Sequence, residues 1–299
     1  MTTPKRLPTP AWPAVDLPTP TAPSVVVTGV FDGVHRGHAA LLEAAAGLVP
    51  DAGVFAVTFD PPPTPVTGLL VPLERRLDLL APAQTAVLAP RQWQGVPAAV
   101  YLSALAAKGT LAGLVMGQNH RFGQGGTGDA AFAADWCAHQ GIAFAALPAV
   151  AHEGVAISSS RIRQAVADGA IVGANAMLGR AFCLWGRPEE GRHIAGANGV
   201  PTINLPLGEG LCVPHYGVYA ARLSGVPAVV NLGVGPTFAD GRAPRAEVHC
   251  LAAPPEGGEF CLELLDFLRP ERPFPNPEAL FDQVRRDIDT AKKTFGDIP

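Results

Sequence analysis

The chain lacks the features of a disulfide-stabilised, zinc-binding or membrane-spanning protein. Its five cysteines are odd in number, widely spaced and never arranged as C-x-x-C, a pattern typical of reduced thiols in a cytosolic protein. The longest apolar stretch, residues 96–116, is interrupted by Pro97, Lys108, Gly109 and Gly113, so it does not predict a membrane span. No signal peptide precedes the first predicted strand, and we therefore expect a cytoplasmic protein without a membrane partner.

Charge is also scarce. Lysine and arginine number 22 against 26 aspartates and glutamates, so the formal net charge is −4. Proteins that wrap nucleic acid usually carry a strongly basic face, and this composition argues against that class. Hydrophobic residues make up 48% of the 299 positions, which indicates a globular chain long enough for two domains. Small phosphorylated ligands remain compatible, because they need only a local cluster of donors.

The first half alternates between strand and helix patterns. Residues 1–23 contain seven prolines and predict an extended lead-in. Over residues 24–175, alternating strands and helices predict an α/β domain with a doubly wound parallel sheet, a Rossmann-like architecture. The predicted strands are 25–28, 54–59, 111–116 and 142–147, and the predicted helices are 37–48, 73–80, 97–108 and 130–139.

The second half has a different texture. Residues 161–180 predict two helical pieces that end at Gly179. Strand patterns then recur between glycines and prolines, which indicates an antiparallel barrel or sandwich, and we predict a β-barrel domain over 176–299. The predicted strands are 218–223, 228–232, 247–251 and 261–268, followed by a C-terminal helix at 277–293.

A glycine-rich segment, residues 29–38, lies between the first predicted strand and the first predicted helix. In a doubly wound sheet this turn lies at the carboxyl edge, where ligands bind. Gly29, Gly33 and Gly37 allow the backbone to approach a ligand, and the helix that follows offers unpaired N–H groups to phosphate. No lysine follows the last glycine, so the segment is not a Walker A loop.

Two histidines in this segment are candidates for catalysis. His35 and His38 are three residues apart, so they share one face if both lie in the first helical turn. Two imidazoles there can donate hydrogen bonds to a phosphorus centre as it gains negative charge. The alternative is a pair of ordinary surface or capping histidines. Their position directly after a strand and a glycine turn favours catalysis.

Three further segments of the first half can contact a ligand. Ser159, Ser160 and Arg161 open another helix, where hydroxyls and a guanidinium suit an outgoing pyrophosphate; the alternative is a plain helix cap. A segment after the 111–116 strand contains Asn119 and leads to Asp129 through a glycine-rich loop. Asp60 follows the second strand. The alternative for the last two segments is that they only form loops and turns.

The second half carries its own candidates. Thr202 and Asn204 enter a predicted strand two residues apart, so their side chains point the same way. Hydroxyl and amide oxygens suit Mg²⁺ and the phosphates of its nucleotide. Glu247 can accept a proton from a primary alcohol as a phosphoryl bond forms. The alternative is a set of turn residues and a surface glutamate.

The motifs of the first half, taken together, resemble the bacterial bifunctional riboflavin kinase/FAD synthetase family. They are G-x-F-D-G-V-H-x-G-H at 29–38, G-x-N-x-x-F-G at 117–123 and I-S-S-S-R-I-R at 157–163. The resemblance implies that this half transfers AMP from ATP to FMN with magnesium, using His35 and His38. It implies ATP contacts at Gly29, Phe31, Asp32, Gly37, Ser159, Ser160 and Arg161, and flavin contacts at Asp60, Asn119 and Asp129.

The second half resembles the riboflavin kinase module of the same family. The motifs are P-T-x-N at 201–204, P-x-x-G-V-Y at 214–219, N-x-G-x-x-P-T at 231–237 and Arg269-Pro270-Glu271 before Phe274. The resemblance implies ATP contacts at Gly191, Gly199, Thr202 and Asn204, Mg²⁺ at the last two, and Glu247 as the base for the ribityl hydroxyl. The chain departs from the family pattern at Val30, Pro62, His120, Ile203 and Gly235, and the loop 195–199 lacks an arginine.

The resulting hypothesis is a bifunctional enzyme that phosphorylates riboflavin to FMN and adenylates FMN to FAD. Its partners are small molecules, namely ATP, riboflavin, FMN and FAD. Two alternatives stay open: a diverged relative with adenylyl transfer only, and a non-catalytic regulator that binds a flavin or nucleotide. The sequence makes no prediction of oligomeric state.

Overall fold

The computed structural model describes residues 17–81, 83–188, 202–233 and 245–295. Packing within the chain divides it into two units. The first unit takes the chain as far as Val66 and then Pro72–Ser158, whereas the second takes Thr67–Val71 and the chain from Ser159 onward.

The first unit is an α/β domain built on one parallel sheet. Its five strands pair in the order β3-β2-β1-β4-β5, and a two-residue hairpin, β6-β7, follows. The predicted doubly wound sheet is therefore confirmed. The elements are β1 (Ser24–Thr28), α1 (Arg36–Leu48), β2 (Gly53–Phe59), α2 (Leu73–Leu80), β3 (Gln84–Leu88), α3 (Pro90–Trp93), α4 (Ala98–Ala106), β4 (Leu111–Gly117), α5 (Ala130–Gln140), β5 (Ala143–Leu147), β6 (Ala151–His152) and β7 (Val155–Ala156).

Helices cover both faces of this sheet, which explains the nearly continuous apolar sequence of β1. Val26 packs into a core formed with Leu102 of α4 and Trp136 of α5. Val25 and Val27 point to the opposite face, where they pack with α1 and α2. Alternate residues of one strand thus enter two separate cores, as parallel sheets require.

The described part of the lead-in, residues 17–23, forms neither helix nor strand but contacts the first unit. Leu17 is buried in the core formed with α4 and α5. The hydroxyl of Thr110 donates to the carbonyl oxygen of Pro20 at 2.9 Å. The N–H of Gly53 in β2 donates to the carbonyl oxygen of Pro23 at 3.0 Å, so the proline-rich segment contacts the first unit through a buried apolar side chain and through backbone carbonyl oxygens.

The second unit begins with two helices and continues as an antiparallel sheet. Its six strands pair in the order β8-β13-β10-β11-β12-β9, and each neighbouring pair is antiparallel. The elements are α6 (Ser159–Ala167), α7 (Ile171–Leu178), β8 (Phe182–Gly186), β9 (Ile203–Pro206), β10 (Gly217–Leu223), β11 (Val226–Gly233), β12 (Arg245–Cys250), β13 (Phe260–Pro270) and α8 (Pro277–Phe295).

This sheet curls until its two outer strands approach each other. A Cβ atom added to Gly186 of β8 would lie 3.1 Å from the carbonyl oxygen of Pro206 in β9. Helix α8 packs on the sheet through Ala291, which joins Val218 and Val229 in a small core. The predicted barrel-like antiparallel domain with a C-terminal helix is therefore confirmed.

Helix α7 is tied to the sheet of the second unit. The Asn175 side chain donates to the carbonyl oxygen of Leu264 at 2.9 Å and accepts from the backbone N–H of Phe182 at 2.7 Å. The helix ends at Gly179, as predicted, with a left-handed φ of 79°. Packing thus groups α6 and α7 with the second unit, whereas the functional boundary between residues 175 and 176 stays a prediction.

Substituting Gly217 with alanine should destabilise the second unit. A Cβ atom at this position, where β10 begins, would overlap the carbonyl oxygen of Arg269 and lie 2.7 Å from the ring of Phe267. We expect Gly217→Ala to lower the free energy of unfolding by about 1–3 kcal/mol, since overpacking against a strand cannot relax. Gly258→Ala is the control, because nothing lies within 4 Å of its added Cβ. Calorimetry that gives both variants the same stability would contradict this packing.

Candidate active sites

The parallel sheet of the first unit has one topological switch point. From β1 the chain adds β2 and β3 on one side and then crosses to β4 on the other side. The loops that leave the carboxyl ends of β1 and β4 therefore diverge, and such a crevice is where ligands bind in open α/β sheets. Residues 29–35 and 118–129 form these two loops. The candidate glycine-rich segment and the Asn119 loop thus follow adjacent strands.

The loop after β1 is held in an unfavourable conformation. Phe31 and Val34 have positive φ angles of 54° and 37°, which are rare for residues with large side chains. The Phe31 ring is 1% exposed, and a Cβ atom added to Gly29 would already touch it at 3.4 Å. The N–H of Val34 donates to the carbonyl oxygen of Phe31 at 3.0 Å and closes the turn. Backbone strain of this kind persists only where the surroundings impose it, and it concentrates at functional sites.

The two histidines lie together, but not as two residues of one helical turn. His35 is the N-cap of α1 and has extended backbone angles, and its Nδ1 accepts from the N–H groups of Gly37 and His38 at 3.1 and 3.4 Å. The condition that both lie in the first helical turn is therefore met by His38 alone, since His35 is the cap that precedes the helix. The two rings still stack at 3.7 Å with 16° between their planes.

The cap contact determines which nitrogen of His35 can donate. Because Nδ1 accepts backbone N–H groups, the proton of the neutral ring lies on Nε2. Gly37 is needed for this geometry, since an added Cβ atom would lie 3.0 Å from Cε1 of His35. The ring of Phe31 meets His38 edge-on at 5.1 Å. Packing and capping together thus orient both imidazoles beside the N-terminus of α1.

Arg76 in α2 is a residue of this site that the sequence analysis missed. Its side chain is fully buried and donates to the carbonyl oxygens of Val30 at 2.9 Å and Phe59 at 3.3 Å. Its guanidinium also lies 3.4 Å from Asp60, and Asp32, itself buried, is close enough to interact with its charge. Burial lowers the pKa of Arg76, and the two carboxylates oppose that effect.

The helix pattern contained a signal for this arginine. In α2 the apolar positions Leu73, Leu77 and Leu80 share one face, and Arg76 falls on the same face at helical spacing. A lone arginine on a buried helix face needs acceptors around it. The location of those acceptors could not be read from the sequence, because they lie on loops distant along the chain.

In the loop after β4, Asp129 lies directly before the first residue of α5, and Asn119 lies at the surface. Asp129 caps α5 by accepting from the N–H of Phe132 at 2.9 Å, and Arg121 donates to it at 2.8 Å. These two contacts lower the pKa of the Asp129 carboxyl. Burial lowers the pKa of His120 to about 4, so this imidazole is neutral at pH 7. The predicted flavin contacts at Asn119 and Asp129 stay predictions.

The serine-rich segment opens α6, which packs with the second unit. Ser159 is the first residue of the helix, and Arg163 donates to the hydroxyl of Ser160 at 3.3 Å. The expected helix start is thus confirmed. The contribution of Ser159, Ser160 and Arg161 to a site that contains the histidines stays a prediction.

In the second unit, strand register aligns three polar residues. Glu247 of β12 is directly opposite Asn204 of β9 on one side and Asn231 of β11 on the other. Residues directly opposite in antiparallel strands project to the same face. The structure therefore brings together Asn204 and Glu247, which were predicted, with Asn231, which was quoted only as part of a motif. Thr202 lies just before β9, and Gly191, Gly199, Gly235 and the 195–199 loop lie outside the described residues.

A second carboxylate, that of Glu271, lies beside the three aligned polar residues. The Asn231 side chain donates to Glu271 Oε1 at 3.1 Å, and a Cβ atom added to Gly233 would overlap the Glu271 carboxylate. Partial burial raises the pKa of the Glu247 carboxyl; Arg245 opposes this and Glu271 adds to it. A raised pKa makes a carboxylate a stronger base.

Comparison with known proteins identifies both units. The family model for FAD synthetase matches residues 18–161, and that for riboflavin kinase matches residues 178–295. The bifunctional riboflavin kinase/FMN adenylyltransferase of Escherichia coli K12 is 32% identical over 91% of this chain and 93% of its own length. The chain belongs to this family. The enzyme of the same description from Pseudomonas fluorescens is 31% identical, over 90% of this chain and 92% of its own length. That from Bacillus subtilis is 28% identical, over 93% of this chain and 94% of its own length.

A solved structure has a fold similar to that of this member of the riboflavin kinase/FMN adenylyltransferase family. It is described as a macrolide-efflux protein from Streptococcus pneumoniae, and its TM-score to this chain is 0.81 at 25% identity. The match covers 93% of this chain and 96% of the streptococcal one. In the chain as described, no helix is both long and apolar enough to span a bilayer.

The cap made by His35 generates a stability prediction that is separate from catalysis. His35→Ala should lower the free energy of unfolding of the first unit by about 1 kcal/mol, because two N–H groups of α1 lose their acceptor. His35→Asn should retain most of that stability, since asparagine accepts well at an N-cap. Calorimetry of both variants tests this, and equal losses in the two would show that the Nδ1 contact contributes nothing.

Proposed function

We propose that the chain converts riboflavin to FMN with residues of the segment that the riboflavin kinase model matches, 178–295, and FMN to FAD with residues of the segment that the FAD synthetase model matches, 18–161. Two observations support this division. In the first unit, stacked imidazoles and a strained glycine-rich loop lie at a switch point, a place suited to a nucleotide. In the second unit, a carboxylate of raised pKa lies between two asparagines, a place suited to phosphorylation of an alcohol.

Adenylyl transfer requires negative charge to be stabilised at the α-phosphorus of ATP. A phosphate oxygen of FMN attacks this phosphorus, the new P–O bond forms, and the bond to the β-phosphate breaks to release pyrophosphate. His38 at the start of α1, with the helix N-terminus, donates hydrogen bonds to the oxygens that gain charge. His35 donates through Nε2, because its Nδ1 is engaged by Gly37 and His38.

The remaining predicted contacts divide between the two substrates. Gly29, Phe31, Asp32 and Gly37 shape the loop that receives ATP. Ser159, Ser160 and Arg161 bind the departing pyrophosphate, since a guanidinium matches phosphate oxygens in a fork. The flavin half of the acceptor contacts Asp60, Asn119 and Asp129.

Phosphorylation of riboflavin uses Glu247 as the base. Its carboxylate takes the proton of the terminal ribityl hydroxyl as that oxygen bonds to the γ-phosphorus and ADP leaves. Asn231 and Asn204 border the carboxylate on the neighbouring strands and orient the hydroxyl and the nucleotide. Gly191 and Gly199 stay predicted ATP contacts that lie outside the described residues.

Magnesium fits the second unit as a partner of the nucleotide. Within the described ranges no group of three or more histidine, cysteine, aspartate or glutamate side chains could hold a metal. The Thr202 hydroxyl and the Asn204 amide oxygen are the hard, oxygen-only donors that Mg²⁺ accepts when phosphates supply its other ligands. When bound, Mg²⁺ neutralises charge on the transferring phosphates.

All five cysteines are free thiols, which suits the reducing cytoplasm where we place the reactions.

Replacing His38 should separate the two activities. We expect His38→Ala to slow FAD formation from FMN by about 10²–10³, because a preorganised donor to the transition state is lost. FMN formation from riboflavin, measured in the same samples by separating the flavins, is the internal control and should not change. A variant that makes FAD at the wild-type rate would remove His38 from the mechanism.

Replacing Glu247 should give the opposite result. Glutamine keeps the shape of the side chain but cannot take a proton, so Glu247→Gln should stop conversion of riboflavin to FMN while FMN is still converted to FAD. The same chromatographic assay measures both steps. If riboflavin phosphorylation continues unchanged, Glu247 is not the base. A wild-type protein that makes FAD from FMN but no FMN from riboflavin would favour the adenylyl-only alternative, and one that makes neither would favour the regulator.

A further inference from the structure

Arg76 has no role in the reaction steps proposed so far, although burying its charged side chain costs free energy. Its side chain is 0% exposed, and an arginine is almost never fully buried unless its charge is paired. It also belongs to none of the motifs that carry the chemistry. A buried ion pair contributes little stability compared with apolar residues of similar volume. The arginine therefore calls for an explanation other than stability of the fold.

Arg76 fixes one backbone atom of the loop after β1, residues 29–35, which we call the phosphate loop. Its guanidinium donates to the Val30 carbonyl oxygen at 2.9 Å, and the hydroxyl of Thr58 donates to the same oxygen at 2.9 Å. Val30 directly precedes Phe31, whose φ angle is positive. Two donors from α2 and β2 thus hold the peptide at the entrance of the strained turn.

The same guanidinium reaches the end of β2. It donates to the carbonyl oxygen of Phe59 at 3.3 Å and lies 3.4 Å from the Asp60 carboxylate. Asp32, in the phosphate loop, also interacts with its charge. Arg76 is therefore the common counter-charge of two acidic residues on two different loops of the site.

We infer that Arg76 is a positioning residue for adenylyl transfer. It fixes the Val30 carbonyl and thereby holds the loop 29–35 against the turn at Asp60. This inference rests on the proposed conversion of FMN to FAD. Because its side chain is fully buried, Arg76 acts through the loop and not on a reactant. It keeps the loop that leads into the two histidines in the geometry of the transition state, where an error of 1 Å can cost about 10² in rate.

The test compares Arg76→Met with Arg75→Met in the full-length chain. Arg75 is the adjacent residue of α2, and it pairs at the surface with Asp78 at 3.1 Å. For Arg76→Met we expect kcat for FAD formation to fall by roughly 10- to 100-fold, with a much smaller change in the KM for ATP. Riboflavin phosphorylation should be unchanged, and Arg75→Met should match wild type in both reactions.

The conservative variant supplies a second readout. Arg76→Lys keeps the positive charge but cannot reach two carbonyls and a carboxylate at once, because an ammonium is a compact point charge. It should therefore restore part of the kcat lost in Arg76→Met. A purely structural arginine would instead show a lowered melting temperature with wild-type kcat in the folded protein.

A third variant decides the matter if Arg76→Met does not fold. Thr58→Val removes only the neutral donor to Val30 and preserves the shape of the side chain. It should lower kcat for FAD formation by about fivefold, the equivalent of one ordinary hydrogen bond.

Wild-type kcat in folded Arg76→Met or in Thr58→Val, or parallel loss of both activities, would overturn the inference. A wild-type protein that makes no FAD from FMN would instead refute the proposed function, and the inference with it.

Discussion

The carbonyl oxygen of Val30 joins the parallel sheet to the loop 29–35. It accepts from Thr58, inside β2, and from Arg76, inside α2. The turn with its positive φ angles, the cap made by His35 and the stacking of the two imidazoles follow this attachment directly along the chain. A loop this strained needs anchors outside itself, and a buried guanidinium provides several from one side chain.

The two candidate sites use different physical means to place their polar groups. In the first unit the groups lie on a loop and at a helix start beside a switch point, so their positions depend on caps, buried charge and strain. In the second unit Asn204, Glu247 and Asn231 lie on three neighbouring strands, and the ladder itself sets their spacing. A site built on paired strands needs few supporting contacts, whereas a site built on loops needs hydrogen bonds and ion pairs from the residues packed against it.

Sequence periodicity predicted most of the elements because their apolar faces are regular. The edge strands β3 and β8 were missed. The histidines were found because a glycine turn and a helix start surround them. Capping was weighed for the histidines only as the alternative to catalysis, and the sequence could not assign it to His35, because it depends on the backbone angles at that residue. Likewise Arg76 could not be assigned to the site, since its acceptors at Val30 and Phe59 lie 46 and 17 positions away in sequence.

The two proposed reactions cleave ATP at two different phosphorus atoms, the α-phosphorus in FAD formation and the γ-phosphorus in FMN formation. The most direct measurement follows isotopic label from ATP into the flavins. With α-labelled ATP and FMN, we expect label in FAD and not in the released pyrophosphate. With γ-labelled ATP and riboflavin, we expect label in FMN. Unlabelled FAD in the first reaction, or no labelled flavin in either, would contradict this chemistry.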